Sequence, residues 1–509
     1  MIDWGSGYVT DTDYVHNFSR AQAPAMLALA ALSGGVLAAG GSGEPLAWCD
    51  LGCGQGYTAN LIAAANPQAR IFGFDFNPSH IANARALAAA SRLTNADFRE
   101  ASFEELDADP ALPDFDIMCM HGVFGWVSPD NRGALVALAR KRLKPGGLLY
   151  ISYDCLPGWA AVGALRRVFV RHFAPGPALK SPAAIDRAFR YSDALKAADS
   201  RFHRVFPHVE AQMERLKATP SAYLAHELLP RDWEAFLFGD VAAEFAKAKL
   251  DFVGPVHLAD AIDRLNFTDA QVGFLGGLND PVLAESTRDI MLCRQFRRDV
   301  FAKGSASSGP LSLRARWLAT RFAPTTPESA IEMAFDTAVG KRQFHPEAHA
   351  PLVEALRKGP ITLGEAIKRA FDNGANFNSL IDAIRVLVSR GDIQPALPAD
   401  GDEARAASTR AFNDAVLARA AEGANLAYLA SPVTGGGVKV DRLTQLYLFR
   451  RRGGGPDLVE LVANFLRDAA ATADSAKPLA EDEARATARE KIARIETEVA
   501  PMLGRLGIA

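Results

Sequence analysis

The chain has 509 residues, which is too long for one hydrophobic core and predicts about three domains. Charged residues make up 23% of it and hydrophobic residues 49%, the usual balance of a soluble globular protein. The formal net charge of -3 excludes a generally basic surface, so we expect no nucleic-acid partner.

The five cysteines are scattered along the chain, and an odd number does not suit a disulfide framework. Cys49 and Cys53 have a separation found in metal sites, but no second pair of Cys or His follows them closely. We therefore expect no metal site. Free thiols indicate a reducing compartment, which predicts a cytoplasmic protein.

The segment from Ala21 to Gly43 carries no charge and is long enough to span a bilayer. It is rich in alanine, is broken by Gly34 and Gly35, and follows aspartates rather than a basic stretch. The sequence therefore predicts a buried helix that leads into the first domain, and no membrane insertion.

Short apolar strands alternate with amphipathic helices between Pro45 and Tyr153. This alternation predicts an α/β fold, a mostly parallel Rossmann-like sheet covered by helices on both faces. Such sheets bind ligands beyond the carboxyl ends of their strands. The predicted strands are LAWCDLG, RIFGFD, FDIMCMHG and LLYISY.

Beyond Trp159 the alternation stops, and residues 160–300 are predicted to be largely helical. The stretch from Lys303 to Pro310 is predicted to be a linker. Three helices and a short strand follow it at a spacing that resembles a winged helix. The predicted domains are residues 1–160, a sheet domain; 161–305, a helical domain; 312–400, a winged-helix-like domain; and 405–509, a mixed α/β segment with a terminal helix.

The stretch WCDLGCGQGY places glycines at alternate positions after an acidic residue that ends the first strand. Glycine lets a chain turn tightly and lets its backbone approach a ligand. Asp50 would repel a phosphate but suits an ammonium group, and Asp75, at the end of the second strand, suits ribose hydroxyls. A nucleoside with a cationic, phosphate-free tail is S-adenosylmethionine, which we predict as the cofactor. Its predicted contacts here are Asp50, Gly52, Cys53, Gly54, Gln55, Gly56, Asp75 and Phe76.

The pattern Asp-x-Gly-x-Gly-x-Gly followed by Asp75 resembles the first two motifs of class I methyltransferases, and LKPGG resembles a later one. Most such enzymes place an acidic residue against the adenine amine after the third strand. Here we predict that Ser102 and the backbone of Phe103 face the adenine, with Glu104 or Glu105 as the alternatives.

Two loops at the carboxyl ends of strands are predicted to hold the methyl acceptor. In the first, His121 either contacts the cofactor and the acceptor or fixes the loop by hydrogen bonds. In the second, Tyr153 and Asp154 are predicted to line the acceptor channel. The predicted catalytic residues are therefore His121, Tyr153 and Asp154, and the tryptophans of the two loops, Trp126 and Trp159, are predicted to be packing anchors.

The order of motifs resembles that of the bacterial methyltransferases with a methyltransferase regulatory domain, a group that includes the outer-membrane-protein lysine methyltransferases. The resemblance covers roughly residues 1–305. The motifs are DLGCGQG, GFDFNPSHI, ASFEEL, HGVFGWVS, LKPGG, SYDCLPGW, YLAHELL and RDIMLCRQFRRDVFAKG.

The resemblance implies an S-adenosylmethionine domain closed over by an N-terminal aromatic residue, Tyr14, and a helical regulatory or dimerisation domain. It also implies C-terminal domains that present a protein substrate. This chain departs from the family at two positions, with Phe124 where a tyrosine is usual and Asp154 where an asparagine is usual.

The leading hypothesis is therefore a methyltransferase acting on lysine amines of a protein, with a homodimer formed through the helical domain. The alternatives are a small-molecule methyltransferase and a non-catalytic, cofactor-binding regulatory protein. His226 and Glu227 are predicted to make an interdomain polar contact. The arginine clusters 297–298 and 450–452 are predicted to be solvated surface.

Overall fold

The computed structural model describes residues 5, 7–38, 45–174, 180–304, 308–371, 376–423, 426–453, 457–472 and 480–509. The tail of the uncharged segment beyond residue 38 lies outside these residues, as do residues 305–307 of the predicted linker. In the described part of the chain, no helix is long and apolar enough to cross a membrane.

A seven-stranded sheet is the centre of the described structure, with the strand order β3-β2-β1-β4-β5-β7-β6. The first five strands are parallel, which confirms the predicted α/β fold, and β7 pairs antiparallel with both β5 and β6. The strands are β1 (Ala47–Leu51), β2 (Arg70–Asp75), β3 (Ala96–Glu100), β4 (Phe115–Met120), β5 (Leu143–Asp154), β6 (Leu250–Pro255) and β7 (Phe296–Lys303).

Helices cover both faces of this sheet, and successive residues of a strand pack into different cores. Trp48 of β1 belongs to one hydrophobic cluster and Cys49 to the other, as the period of two in a strand requires. The helices of this part are α1 (Pro24–Ser33), α2 (Tyr57–Ala65), α3 (Pro78–Ala90), α4 (Phe103–Ala108) and α5 (Pro129–Arg142).

The region that follows is helical, as expected, except that it also supplies β6 and β7 to the sheet. Several of its helices form their own apolar cluster, which includes Phe169, Ile185, Val209 and Leu224. The helices are α6 (Ala160–Phe173), α7 (Ser181–Ala197), α8 (Arg201–Val205), α9 (His208–Lys217), α10 (Ser221–Leu228), α11 (Phe238–Ala246), α12 (Asp263–Asn266), α13 (Asp269–Gly276) and α14 (Pro281–Leu292).

The C-terminal part combines helices with three small antiparallel sheets, β9–β10, β11-β8-β12 and β13–β14. Whether the sheet β11-β8-β12 with its helices is a winged helix stays a prediction. The strands are β8 (Arg321–Pro324), β9 (Ala334–Thr337), β10 (Gly340–Gln343), β11 (Ile361–Thr362), β12 (Ile393–Ala396), β13 (Tyr428–Ser431) and β14 (Gly436–Lys439). The helices are α15 (Pro310–Ala319), α16 (Pro346–Arg357), α17 (Leu363–Phe371), α18 (Phe377–Arg390), α19 (Asp402–Ala421), α20 (Arg442–Arg451), α21 (Leu458–Thr472), α22 (Glu481–Arg494) and α23 (Ala500–Arg505).

The C-terminal part packs directly on the helix that follows the glycine turn. The hydroxyl of Tyr57 donates a hydrogen bond to the carbonyl of Tyr428, and the amide of Asn66 donates one of 2.8 Å to the carbonyl of Gly435. Tyr57 is the first residue of α2 and Asn66 directly follows its last residue, and both side chains are buried. The C-terminal part is therefore joined to the sheet domain by hydrogen bonds from buried side chains.

Candidate functional site

A cavity of about 530 Å³ lies at the carboxyl ends of β1, β2 and β4. This is the edge at which parallel sheets bind their ligands. The structure brings together there all the residues predicted to bind the cofactor except Gly56. Those that line the cavity are Tyr14, Asp50, Gly52, Cys53, Gly54, Gln55, Asp75, Phe76, Ser102, Phe103 and His121.

The glycine turn follows β1 and runs close to the end of β2. The N–H groups of Gly52 and Cys53 both donate to the carbonyl of Phe74, at 2.8 and 2.9 Å. Gly52 has φ +81°, and a Cβ on it would lie 2.6 Å from Cγ2 of Val123 in the loop after β4. Both the backbone conformation and the close approach of that loop therefore require glycine at this position.

Gly56 has a different role from the one predicted. It begins α2 with φ +68° and does not line the cavity, and a Cβ on it would lie 2.4 Å from that of Ala84 on α3. The missing side chain lets α2 and α3 pack together rather than letting the backbone approach a ligand. The predicted contact of Gly56 with the cofactor stays a prediction.

Asp75 is held at the end of β2 by backbone donors. Its Oδ2 accepts a hydrogen bond of 2.8 Å from the N–H of Gly54, and its Oδ1 accepts one of 2.9 Å from the N–H of Asn77. A carboxylate has about four acceptor positions, so capacity remains for ribose hydroxyls. The geometry therefore suits the predicted ribose contact, which stays a prediction.

His80 was not anticipated from the sequence. Its Nδ1 lies 3.2 Å from Oδ1 of Asp75, and it lines the cavity. Its Nε2 is buried and has no hydrogen-bond partner within the described part of the chain, which a bound ligand would supply. The one available signal was its position, in the first turn of the helix that follows the acidic end of β2.

Asp50 is a buried carboxyl on the cavity wall, only 4% exposed. Its Oδ1 accepts a hydrogen bond of 2.9 Å from Nε2 of Gln22. Burial raises the pKa of Asp50 to about 8, against a smaller lowering by that hydrogen bond. A cation in the cavity would favour the ionised form, as the predicted ammonium contact requires.

Ser102 and Glu105 form a reciprocal cap at the start of α4, so part of the hydrogen-bonding capacity of each side chain is already used. The Ser102 hydroxyl accepts from the N–H of Glu105 at 3.2 Å, and the Glu105 carboxylate accepts from the N–H of Ser102 at 2.7 Å. Glu105 does not line the cavity, whereas Glu104 does, beside Ser102 and Phe103. Of the two glutamates considered for the adenine, only Glu104 is in a position to contact it.

His121 is the first residue after β4 and lines the cavity. Its Nδ1 lies 2.7 Å from the Tyr150 hydroxyl and 3.2 Å from that of Ser152, which in turn accepts a 2.9 Å hydrogen bond from the N–H of Gly122. Burial, followed by the charge of Arg298, lowers the pKa of His121 to about 4. The imidazole is therefore neutral near pH 7, and both of its predicted roles, loop fixing and cavity lining, fit its place.

The two tryptophans behave differently. Trp159 packs edge-on against Trp233 with ring centroids 5.3 Å apart, as expected of a packing anchor. Trp126 instead lines the cavity, and its Nε1 is buried without a hydrogen-bond partner among the described residues. This indole N–H is thus a donor available to a bound ligand.

Tyr153 lies away from the cavity, which corrects the expectation that it lines the acceptor channel. Its ring is completely buried, and its hydroxyl donates a 2.8 Å hydrogen bond to Oδ2 of Asp299 on β7. Arg297 is buried beside it and donates to the same oxygen at 2.7 Å, so the expectation of a solvated arginine is also wrong. The two side chains stabilise the added strand rather than the site.

Asp154 does not line the cavity either. Its Oδ2 accepts a 2.8 Å hydrogen bond from Nε1 of Trp233, and the side chain is 4% exposed. Burial, and then the charge of Glu227, raises the pKa of Asp154 to about 8. Asp154 is therefore a buried carboxyl behind the cavity wall rather than part of the wall itself.

One segment of the helical region, residues 231–236, connects the parts around the site. The N–H of Arg231 donates to the carbonyl of Gly7, that of Glu234 to Gly125 and that of Phe236 to Asp154, at 2.9, 2.7 and 2.9 Å. These acceptors lie in the N-terminal segment, the loop after β4 and the end of β5. We call residues 231–236 the bridging segment.

The described residues contain no group of three or more His, Cys, Asp or Glu side chains that could hold a metal ion. The cysteines are all free thiols.

Family models match two parts of the chain. Residues 44–172 match a methyltransferase domain, and residues 220–303 match a predicted methyltransferase regulatory domain. An uncharacterized protein of Synechocystis, sll1526, is 36% identical over 462 residues, which cover 90% of each chain. Trans-aconitate 2-methyltransferase of Methylobacterium nodulans is 35% identical over 102 residues, covering 20% of this chain and 36% of that enzyme.

The structure of PKMT2 from Rickettsia typhi in complex with AdoHcy is similar over nearly the whole chain. The TM-score is 0.67 at 16% identity, and the likeness covers 97% of this chain and 99% of that one. AdoHcy is the demethylated product of S-adenosylmethionine. Together with the match to a methyltransferase domain, this identifies S-adenosylmethionine as the cofactor.

Proposed function

The chain belongs to the S-adenosylmethionine-dependent methyltransferases that carry a methyltransferase regulatory domain, and from this premise we propose that it methylates lysine amines of a protein. The observation that carries the protein acceptor is the likeness to PKMT2, a name that abbreviates protein lysine methyltransferase, over 97% of this chain. By contrast, the likeness to trans-aconitate 2-methyltransferase covers 20% of it.

The chain's own residues would hold the cofactor from three sides. Asp75 would accept hydrogen bonds from the ribose, Asp50 would balance positive charge, and the backbone of Gly52 and Gly54 would lie against the ligand. Bound there, the cofactor supplies an activated methyl group. Because the leaving group is already activated, the protein has mainly to align the acceptor and exclude water.

The end of the cavity that would hold the methyl acceptor is formed by two of the segments to which the bridging segment is hydrogen-bonded. Tyr14 comes from the N-terminal segment, and His121 comes from the loop after β4. Both are neutral at pH 7, because burial raises the pKa of Tyr14 and lowers that of His121. Neutral polar and aromatic groups suit an amine that must arrive uncharged and leave as a cation.

Transfer of radiolabelled methyl from S-adenosylmethionine to a fractionated lysate of the host cell tests this proposal. Heat-killed enzyme and the Asp75→Ala variant are the controls. Label in a protein, mapped to lysine by mass spectrometry, supports the proposal. Label confined to small molecules contradicts it in favour of a small-molecule methyltransferase, and cofactor binding without any label favours the non-catalytic alternative.

The homodimer through the helical domain and the cytoplasmic location stay predictions. Light scattering of the purified full chain tests the first, and fractionation of host cells tests the second.

A further inference from the structure

Residues 7–19, near the start of the chain, form one wall of the cavity and contain no helix or strand. Most of the other lining residues directly follow the strands β1 to β4 or lie in the first turns of the helices after them. The cavity therefore has regular structure on the side of the sheet and an irregular segment opposite. We call residues 7–19 the strap, and its residues that line the cavity are Tyr8, Tyr14, Val15, Asn17 and Ser19.

Two hydrophobic cores hold the two ends of the strap. Val9 is buried in the apolar cluster of the helical region, to which Phe169 also belongs. Phe18 is buried in the cluster that the sheet domain shares with the C-terminal part, and its ring centroid lies 5.2 Å from that of Tyr428. The strap therefore joins the helical region to the sheet domain, and Tyr14 lies between these two anchors.

Hydrogen bonds attach the first half of the strap to the helical region. The N–H and the hydroxyl of Ser181 both donate to the carboxylate of Asp11, at 2.9 and 2.5 Å. Ser181 is the first residue of α7, and Lys180 before it provides no side-chain cap. Asp11 therefore caps α7 from the strap, and a carboxylate suits the N-terminus of a helix. The carbonyl of Gly7 accepts a further hydrogen bond of 2.9 Å from the N–H of Arg231 in the bridging segment.

Aromatic side chains of α10 pack behind the strap. The ring centroid of His226 lies 5.5 Å from that of Tyr8 and 5.1 Å from that of Tyr14, and the ring of Tyr223 lies 5.8 Å from that of Tyr14. This helix is within residues 220–303, the part that matches the predicted methyltransferase regulatory domain. None of the described residues of α10 lines the cavity itself. Helix α10 is therefore in contact with the cavity wall through the two tyrosines of the strap.

The contacts of the strap with the sheet domain near Tyr14 are few and partly exposed. Nε2 of Gln55, in the glycine turn, donates to the carbonyl of Tyr14 at 3.2 Å. The hydroxyl of Ser79 donates to Oδ1 of Asp13 at 3.0 Å, at the surface. Segments held by a few exposed hydrogen bonds open more readily than helices and strands. The strap is therefore the part of the cavity wall that can move with the least loss of contacts.

We propose that the strap is a gate for the cofactor and that the helical region holds this gate closed. The proposal rests on the cofactor and is independent of the proposed lysine acceptor. When Asp11 leaves α7, the first half of the strap swings about Phe18, which stays packed, and carries Tyr14 away from the cavity. The helical region thereby sets the rates at which S-adenosylmethionine enters and AdoHcy leaves, and a shift of α7 or α10 changes both rates.

Two substitutions remove one anchor of the strap from opposite sides, and a third is a matched control. Asp11→Ala and Ser181→Ala both break the contact between the strap and α7, and neither residue lines the cavity. Asp280→Ala also removes a helix cap from the helical region. Asp280 accepts hydrogen bonds from the N–H groups of Val282 and Leu283 at the start of α14, and its described contacts include none with the strap.

The readout is the pair of rate constants for ligand association and dissociation, kon and koff. Stopped-flow tryptophan fluorescence of the full chain measures them with S-adenosylmethionine and with AdoHcy, since Trp126 lines the cavity. Asp11→Ala and Ser181→Ala are each expected to raise both constants about tenfold, the scale of one hydrogen bond to a charged group. The double variant should match the single ones, because both remove the same contact.

The dissociation constant distinguishes a gate from a ligand contact. Calorimetry should show a Kd within about twofold of wild type in both variants, because an easier opening speeds entry and exit alike. Asp280→Ala should keep the wild-type rate constants. A rise of koff alone would show that the anchor stabilises the complex rather than closing the cavity, and would overturn the proposal, as would wild-type rate constants in both variants.

The outcome does not depend on the methyl acceptor. The rates are measured without any acceptor, so a chain that labels no lysine can still confirm the gate. Wild-type rates in the variants would equally leave the lysine proposal intact. Should neither Asp11→Ala nor Ser181→Ala fold, Val9→Ala decides, because it loosens the apolar anchor of the same half of the strap and is expected to raise both rate constants in the same way.

Discussion

The Asp75 carboxylate accepts a 2.8 Å hydrogen bond from the backbone N–H of Gly54, which joins the end of β2 to the middle of the glycine turn. Two features that the sequence separates by 21 residues therefore hold each other in place. The turn and the carboxylate face the same cavity. A substitution in the turn is therefore expected to disturb the ligand contacts of Asp75, and a substitution of Asp75 is expected to disturb those of the turn.

Asp75→Ala is expected to weaken cofactor binding by roughly 1.5–3 kcal/mol, the scale of a lost hydrogen bond to a charged group. Isothermal calorimetry with S-adenosylmethionine measures it. Asp97→Ala is the matched control, because that aspartate lies on the neighbouring β3 and pairs with Arg99 near the surface. Equal affinities of the two variants would remove Asp75 from the site.

Cofactor binding is expected to tighten as pH rises from 6 to 8. Burial raises the pKa of Asp50 to about 8 in the free protein, and a bound cation lowers it, so binding releases a proton below that pH. Affinity should therefore rise with pH, by at most about tenfold per unit, and stop rising above the free-state pKa. Calorimetry in two buffers of different ionisation enthalpy measures the released proton. Asp50→Asn should abolish both effects, and an unchanged pH dependence in that variant would contradict the assignment.

Gly56→Ala is expected to destabilise the fold by roughly 2–5 kcal/mol, since it adds left-handed backbone strain and overpacks the contact of α2 with α3. Thermal unfolding measures the lower Tm. Gly133→Ala is the control, because nothing lies within 4 Å of a Cβ at that position on α5. That variant should match or exceed the wild-type Tm, and equal Tm values for the two would show that the packing argument for Gly56 is wrong.

The protein is expected to lose stability as pH falls from 6.5 toward 4. Burial lowers the pKa of His121 to about 4, so the unfolded chain binds a proton in this range that the folded chain does not. The free energy of unfolding is highest above pH 6.5, where His121 is neutral in both the folded and the unfolded chain. Below that pH it falls, by up to roughly 2 kcal/mol after allowance for the partial exposure of His121. His121→Asn should show a shallower fall of Tm with pH than wild type, and parallel curves would contradict the lowered pKa.

The glycine turn, Asp75 and the strands β1, β2, β4 and β5 could be predicted because their signals are local. Strands, helices and turns of that part differ in the period of their apolar residues and in where glycine occurs. The same local signals predicted most of the residues that line the cavity, since the carboxyl ends of parallel strands meet at one edge of the sheet.

The strands β6 and β7 could not be predicted in the same way. They are short segments between helices, and they become strands by pairing with β5 and with each other, a contact between residues far apart in sequence. The directions of the side chains at the end of β5 could not be predicted either. Tyr153 and Asp154 are adjacent, and only the sheet decided that the first turns to Asp299 and the second to Trp233.

The sequence by itself determined the fold class, the cofactor and the edge of the sheet where the cavity lies, because the apolar periodicity, the glycine positions and the carboxylates at strand ends are all properties of short stretches of sequence. Only the tertiary structure decided which polar groups meet at that edge. His80 beside Asp75, the bridging segment, and Asp11 of the strap at the start of α7 all depend on packing between elements that the chain order separates. Burial in that packing, rather than residue type, is what shifts the pKa of Asp50, His121 and Glu227.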